Sequence, residues 1–234
     1  VYNYATGQSI QMPELSPLTY GHTDARLILR VGGSMGDVYG QRLLKRDLNG
    51  YILNEEGVGL TMENKETYLG SILPKMNMGW SLGFGYKGVN LGMTFTGRFG
   101  GIVISETQSV LDAAGVSKVS ADVRDAGGVQ INQGKVSAQT YYQAIQGTAA
   151  YYTYSATNVR LGELSLSYTL PKKWFDNKVG MTVGLVGKNL WMIYCKAPFD
   201  PELTTSAASN FYQGFDAYML PSTRNFGFNI KFQF

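Results

Sequence analysis

Residues 225–234 read Asn225-Phe226-Gly227-Phe228-Asn229-Ile230-Lys231-Phe232-Gln233-Phe234. Even positions are aromatic or aliphatic; odd ones are Asn, Gly, Lys or Gln. Successive side chains of a strand point to opposite faces, so a period of two predicts a strand with one apolar and one polar side. Its length suits the roughly 9–11 residues with which a tilted strand crosses a bilayer.

Upstream the alternation returns. Met76, Met78, Trp80, Leu82, Phe84 and Tyr86 share one parity against Asn77, Gly79, Ser81, Gly83 and Gly85. Lys87-Gly88 predicts a tight turn, after which Val89, Leu91, Met93 and Phe95 oppose Asn90, Gly92, Thr94, Thr96 and Arg98. Leu164, Leu166, Tyr168 and Leu170 oppose Glu163, Ser165, Ser167 and Thr169; Met181, Val183 and Leu185 oppose Thr182, Gly184 and Lys188. A weaker strand is expected over 25–32 and an ambiguous one within 1–11.

A soluble sandwich alternates too, but its polar faces meet bulk water and carry more Lys and Glu than these Gly, Ser, Thr and Asn faces. Composition points the same way: among 234 residues are Gly 29, Tyr 16 and Phe 11, with only 16% charged. A mean hydropathy of −0.12 argues only against helices, since alternating strands average to neutrality. No run approaches the roughly 18 apolar residues of a spanning helix. The fold class expected is all-β, an antiparallel transmembrane β-barrel wall.

The net charge of +3 is spread along the chain, and no basic cluster points to nucleic acid. The single Cys195 forms no internal disulfide or multi-cysteine metal site. No signal peptide is visible ahead of Val1, which predicts a removed leader or an internal or C-terminal piece of something longer.

Connections alternate in length. Lys87-Gly88 and 171–178 are short; 33–75, 101–158 and 191–222 are long. Outer-membrane barrels have short periplasmic turns and long extracellular loops. Placing Phe234 in the periplasm puts every short connection on that side and every long one outside. Tyr86, Tyr168, Trp174 and Phe175 then mark the inner edge, and Phe99, Trp191 and Tyr194 the outer, where amphipathic rings prefer to lie. The six or seven strands read here are too few to close an eight-stranded barrel, so further wall is expected from elsewhere.

Several motifs stand in a fixed order from about residue 30 onward. They are Gly36-Asp37-Val38-Tyr39-Gly40, Leu69-Gly70-Ser71-Ile72-Leu73-Pro74-Lys75, and Phe84-Gly85-Tyr86-Lys87-Gly88 with Gly100-Gly101 closing its hairpin. Val159-Arg160-Leu161 through Tyr168-Thr169-Leu170-Pro171, Gly187-Lys188-Asn189-Leu190-Trp191, Asp200-Pro201-Glu202 and Leu220-Pro221-Ser222-Thr223-Arg224 follow. Together they resemble the SusC/RagA family of TonB-dependent outer-membrane transporters, with Ser71 where the family usually has Asn. The resemblance implies the C-terminal strands of a large, plugged barrel of about 22 strands. The plug and TonB-interacting segment are N-terminal in that family and absent from this chain. It further implies TonB-energised import of oligosaccharide or peptide cargo, a SusD-like lipoprotein lid, the TonB–ExbB–ExbD complex as energy source, lipid around the wall, and the outer membrane of a Gram-negative bacterium of the Bacteroidetes. The rival reading is a passive porin or a small structural or adhesin-type barrel.

Candidate site residues are few. Asp200 and Glu202 put two carboxylates in an outer loop, where they hold a loop, a cation or the lid; the plainer expectation is a proline turn with solvated acids. Residues 137–146 predict a short helix ending at Gly147, carrying Tyr141 and Tyr142. With Tyr151, Tyr152 and Tyr154 these stack on sugar or meet the lid, or simply pack the loop against itself. Gly79, Gly83, Gly85 and Gly92 give a smooth polar face, for cargo or for curvature. Asp47-Leu48-Asn49-Gly50 reads as a turn. His22 is the only histidine, and with no GxSxG elbow no enzyme, cofactor or metal is expected. By resemblance, Phe234 is the signal read by the barrel-assembly machinery.

Overall fold

The computed structural model describes residues 2–3, 8–9, 23–30, 32–55, 59–175, 179–203 and 213–233. Interleaved segments build two compact units. Pro74–Gly100, Ala156–Pro201 and Leu220–Phe234 make one; Val1–Leu73, Gly101–Ser155 and Glu202–Met219 make the other.

The first unit is a sheet of five strands, Met76–Tyr86, Val89–Phe99, Asn158–Thr169, Gly180–Cys195 and Asn225–Gln233, each antiparallel to its chain neighbour. Lys87 (φ 47°) and Gly88 (φ 86°) turn the first hairpin with two left-handed residues, the turn whose twist matches that of the strands it joins. Register converts the parity of the sequence into rows. Phe84, Leu91, Leu166, Leu185 and Phe228 stand opposite one another across all five strands. So do Tyr86, Val89, Tyr168, Val183 and Ile230. On the other face run Gly85, Asn90, Ser167, Gly184 and Asn229, and beside them Ser81, Thr94, Glu163, Lys188 and Asn225. The apolar rows are open to the surroundings: Phe226 is 79% exposed and Phe228 76%.

Tyr86, Val89, Tyr168 and Val183 pair at one end of the sheet, where both short connections lie. Arg98, Asn158 and Cys195 pair at the other, from which the long connections depart. The expected alternation of short and long therefore holds. Two boundaries differ. Gly180–Cys195 runs on through Trp191, and its partner begins at Asn158, where loop was expected. The continuation is hidden because the register slips between Leu161 and Glu163 and Asn189 takes φ 52°, which breaks the period of two.

The second unit puts strands and helices into the long connections 33–75 and 101–158. Asp37–Leu44 pairs with Met62–Ser71 and with Arg26–Leu27, the part of the strand expected over 25–32 that forms among the described residues. That strand lies outside the five-stranded sheet. Within 1–11, Tyr2–Asn3 pairs with Gln8–Ser9. Ile102–Ser105 lies between Thr153–Ser155 and the parallel Phe215–Asp216. Three helices follow: α1 (Glu106–Ala113), α2 (Lys118–Asp125) and α3 (Ala138–Ile145). Each starts on a serine, Ser105, Ser117 or Ser137, whose hydroxyl accepts an otherwise orphaned backbone N–H of the first turn. The predicted helix over 137–146 is α3. One core joins Ala25, Val38, Ile72, Ile104, Ala149 and Phe215; another joins Leu44, Ile52, Ile131, Tyr142, Ile145 and Tyr152.

Candidate functional site

Asp200 is not a solvated acid. Arg160 lies past the register slip, its guanidinium buried, and grips the carboxylate with two nitrogens: Nη1 donates to Oδ2 at 3.0 Å and Nη2 to Oδ1 at 2.7 Å. Nε and Nη2 also donate to Asn158 Oδ1, each at 3.3 Å. A planar fork meeting a carboxylate in parallel is the strongest ordinary form of ion pair. The turn at Asp200-Pro201 is thereby tied to the Asn158–Thr169 strand, while Glu202 is exposed. The two acids that the sequence placed together have different surroundings.

Tyr141 and Tyr142 sit on α3 with ring centroids 5.2 Å apart, edge to face. Tyr142 is 6% exposed and belongs to the second core; Tyr141 packs against it. That core takes Leu44 and Ile52 from the 33–75 connection together with Ile131, Ile145 and Tyr152 from the tyrosines' own segment. Burial, then Tyr151 and Tyr142, pushes the Tyr141 hydroxyl up to about 12. Burial and then Asp112 push Tyr154 up to about 12 as well, and raise Tyr152 further. These phenols stay neutral hydrogen-bonding groups at any physiological pH.

Beside them α1, α2 and α3 border a half-open recess of about 410 Å³, lined by Asp112, Ser120, Arg124, Ser137, Gln139 and Tyr142 among others. Asp112, in the last turn of α1, is 5% exposed and accepts from Gln108 Nε2 at 2.7 Å.

No protein-family model matches the sequence, and no curated protein matches it. Among solved structures, the chain is similar to one of the RagAB peptide transporter. Identity is 20% over 73% of this chain and 21% of that one, with a TM-score of 0.47. A structure of the RagAB peptide importer in its closed-closed state gives 18% identity, 73% and 22% coverage, and a TM-score of 0.44. The chain spans about a fifth of the length of these structures.

Asp47–Gly50 is a turn: Gly50 N donates to Asp47 O, while Asp47 Oδ1 accepts from the N–H groups of Asn49 and Tyr51 at 2.9 Å. Gly83 pairs directly with Gly92 on the polar face, and a Cβ at Gly79 or Gly83 would meet nothing within 4 Å. His22 and Phe234 lie outside the described residues.

Sequence reasoning missed the acids that bind the second unit together. Asp24 accepts from the N–H groups of Arg42 at 2.8 Å and Gln41 at 3.2 Å with one oxygen, and from Ala149 N at 2.6 Å with the other. Ser105 Oγ donates to buried Asp216 at 2.6 Å while capping α1. For α1 a signal existed: Ser105-x-x-Gln108 before Val110 and Leu111 is a capping-box spacing.

Proposed function

We propose that this chain is a wall and extracellular-loop section of an outer-membrane β-barrel importer in a Gram-negative bacterium. In this reading the transport is TonB-energised, the cargo is oligosaccharide or peptide, and a SusD-like surface lipoprotein captures it. The single observation carrying the membrane reading is the set of exposed apolar rows, Phe84 to Phe228 and Tyr86 to Ile230, on one face of an antiparallel sheet. In water, rows of this size demand a covering layer; in a bilayer, acyl chains supply it. The edge strands Met76–Tyr86 and Asn225–Gln233 each have one neighbour among the described residues. Unpaired backbone is untenable in hydrocarbon, so the sheet needs more wall beside it.

The ordered motifs from Gly36 to Arg224 support the importer over the passive porin or small adhesin. No catalytic step is part of the proposal. Its test is uptake of labelled oligosaccharides and peptides by cells carrying or lacking the gene, with TonB intact or deleted. Outer-membrane fractionation together with TonB-dependent uptake of either class is the result expected. Uptake indifferent to TonB would assign the chain to a passive pore, and a soluble fractionation pattern would overturn the membrane reading.

A further inference from the structure

We propose that the short-turn rim of the five-stranded sheet, at Lys87 and Lys173, binds the phosphate of an anionic phospholipid headgroup, with the Tyr86 and Trp174 rings beside it. The inference rests on the reading of the sheet as a membrane wall and adds the headgroup chemistry that this end of the wall selects.

The geometry begins at the hairpin tip. Lys87 takes φ 47°, and its Nζ lies 5.1 Å from the centroid of the Tyr86 ring. A cation within about 6 Å of a ring centroid is attracted by the ring's electron-rich face. Tyr86 is exposed and belongs to the apolar row with Val89, Tyr168, Val183 and Ile230. The contact holds the ammonium beside that row, at the end of the sheet.

The neighbouring connection stands against this tip. Thr169 N donates to Gly88 O at 2.7 Å, and one turn of 3-10 helix, Lys172–Phe175, follows, with Trp174 N donating to Pro171 O at 3.0 Å. Lys173 and Trp174 in that turn are both exposed. At the headgroup level of a bilayer, rings settle in the interface while ammoniums reach outward to phosphate. The end of an exposed apolar face that carries both groups is built for that level.

Charge decides which headgroup. The two connections, 87–88 and 171–178, carry Lys87, Lys172, Lys173 and Lys178 against one acid, Asp176. One carboxylate neutralises at most one of these cations, so the rim keeps a positive surplus whatever Asp176 meets. A zwitterionic headgroup brings its own ammonium to its phosphate and offsets little of that surplus. An anionic one, such as phosphatidylglycerol, brings an uncompensated negative charge, favoured roughly fivefold by each lysine at the membrane surface. An acidic protein would meet the ammoniums but leave Tyr86 and the apolar row behind it uncovered, so lipid is the occupant.

The test places the complete protein in phosphatidylcholine vesicles doped with phosphatidylglycerol that carries a photo-crosslinking diazirine on its headgroup. Peptide mapping by mass spectrometry reads the label on the segments containing Lys87 and Lys173. Label should concentrate there, and unlabelled phosphatidylglycerol should compete about tenfold better than phosphatidylcholine, or more. Lys87→Asn, which suits the left-handed φ, and Lys173→Gln should each lower labelling about fivefold, while Lys173→Arg keeps it. Equal competition by the two lipids, unchanged labelling in the double variant, or competition by inorganic phosphate as effective as that of phosphatidylglycerol overturns the site. Should the double variant not insert, competition between the two lipids on the wild type still decides. Insertion is scored separately, by protease protection in pure phosphatidylcholine. A wild type that inserts there without discriminating headgroups refutes the rim alone, whereas one that fails to insert refutes the membrane reading and the rim with it.

Discussion

Arg160 and Asp200 lie forty residues apart in sequence and meet through two parallel hydrogen bonds of 3.0 and 2.7 Å, with Asn158 closing the guanidinium's other side. Both side chains are at most a tenth exposed. Removing one partner of such a pair strands the other charge, at about 3–5 kcal/mol. Asp200→Ala should therefore lower the unfolding free energy read from a urea titration by that order. Glu202→Ala, two residues on but exposed, should cost less than about 1 kcal/mol. Equal losses from the two substitutions would show that the bidentate pair contributes nothing special.

The Lys87-Gly88 turn gives a second contrast. Gly88 has φ +86°, and an added Cβ would stand 2.8 Å from the Thr169 carbonyl oxygen on the next hairpin. Gly88→Ala combines left-handed strain with a backbone clash, so a loss of about 1–3 kcal/mol is expected. Gly79→Ala meets nothing within 4 Å and should be neutral or slightly stabilising. Refolding yields and unfolding midpoints of the two variants check this, and a Gly79→Ala loss as large as that of Gly88→Ala would refute it.

Why the five-stranded sheet was legible and the second unit was not has a physical origin. A strand with one apolar face writes its period of two directly into the sequence, as 76–86, 89–99 and 225–233 do. The period fails where the backbone departs from ladder geometry, at the slip near Arg160 and the left-handed Asn189, and at Val186, which joins the polar parity within a regular ladder. The second unit is held by acids that accept backbone N–H groups from distant segments, Asp24 from Ala149 and Arg42 among them. Partners 18 and 125 residues apart leave no local spacing to read. Helix α3 was found because its serine cap and its end before Gly147 are local; Asp200 was misjudged because Arg160 is not.

Alkaline pH provides a third test. In the folded chain, Tyr141 and Tyr154 each titrate at about 12, against an ordinary 10.0. A raised folded-state pKa means that the stability it contributes is fully present below pH 10. That stability is lost as pH climbs from about 10 through 12, because the unfolded chain gives up its protons first. Unfolding free energy should be flat up to pH 10 and then fall. Tyr141→Phe should make the fall shallower, and a tyrosinate absorbance titration should show phenols ionising late. An unchanged slope in Tyr141→Phe would contradict the assignment.

The last prediction decides which face of the sheet meets lipid. Phe226 belongs to the row with Leu82, Met93, Leu164 and Gly187, about midway between the sheet's two ends. Its neighbour Gly227 points to the opposite face, where an added Cβ would have nothing within 4 Å. Arginine at the bilayer midplane of a barrel wall costs about 2–4 kcal/mol, whereas substitutions facing the lumen chiefly tune selectivity. Phe226→Arg should thus cost about 2–4 kcal/mol in a urea titration of folding into lipid vesicles, with Gly227→Arg losing little. The reverse order would turn the sheet inside out, placing the aromatic rows in the lumen. Equal, small losses would mean that neither face borders hydrocarbon, and the membrane assignment of the five strands would fall with them.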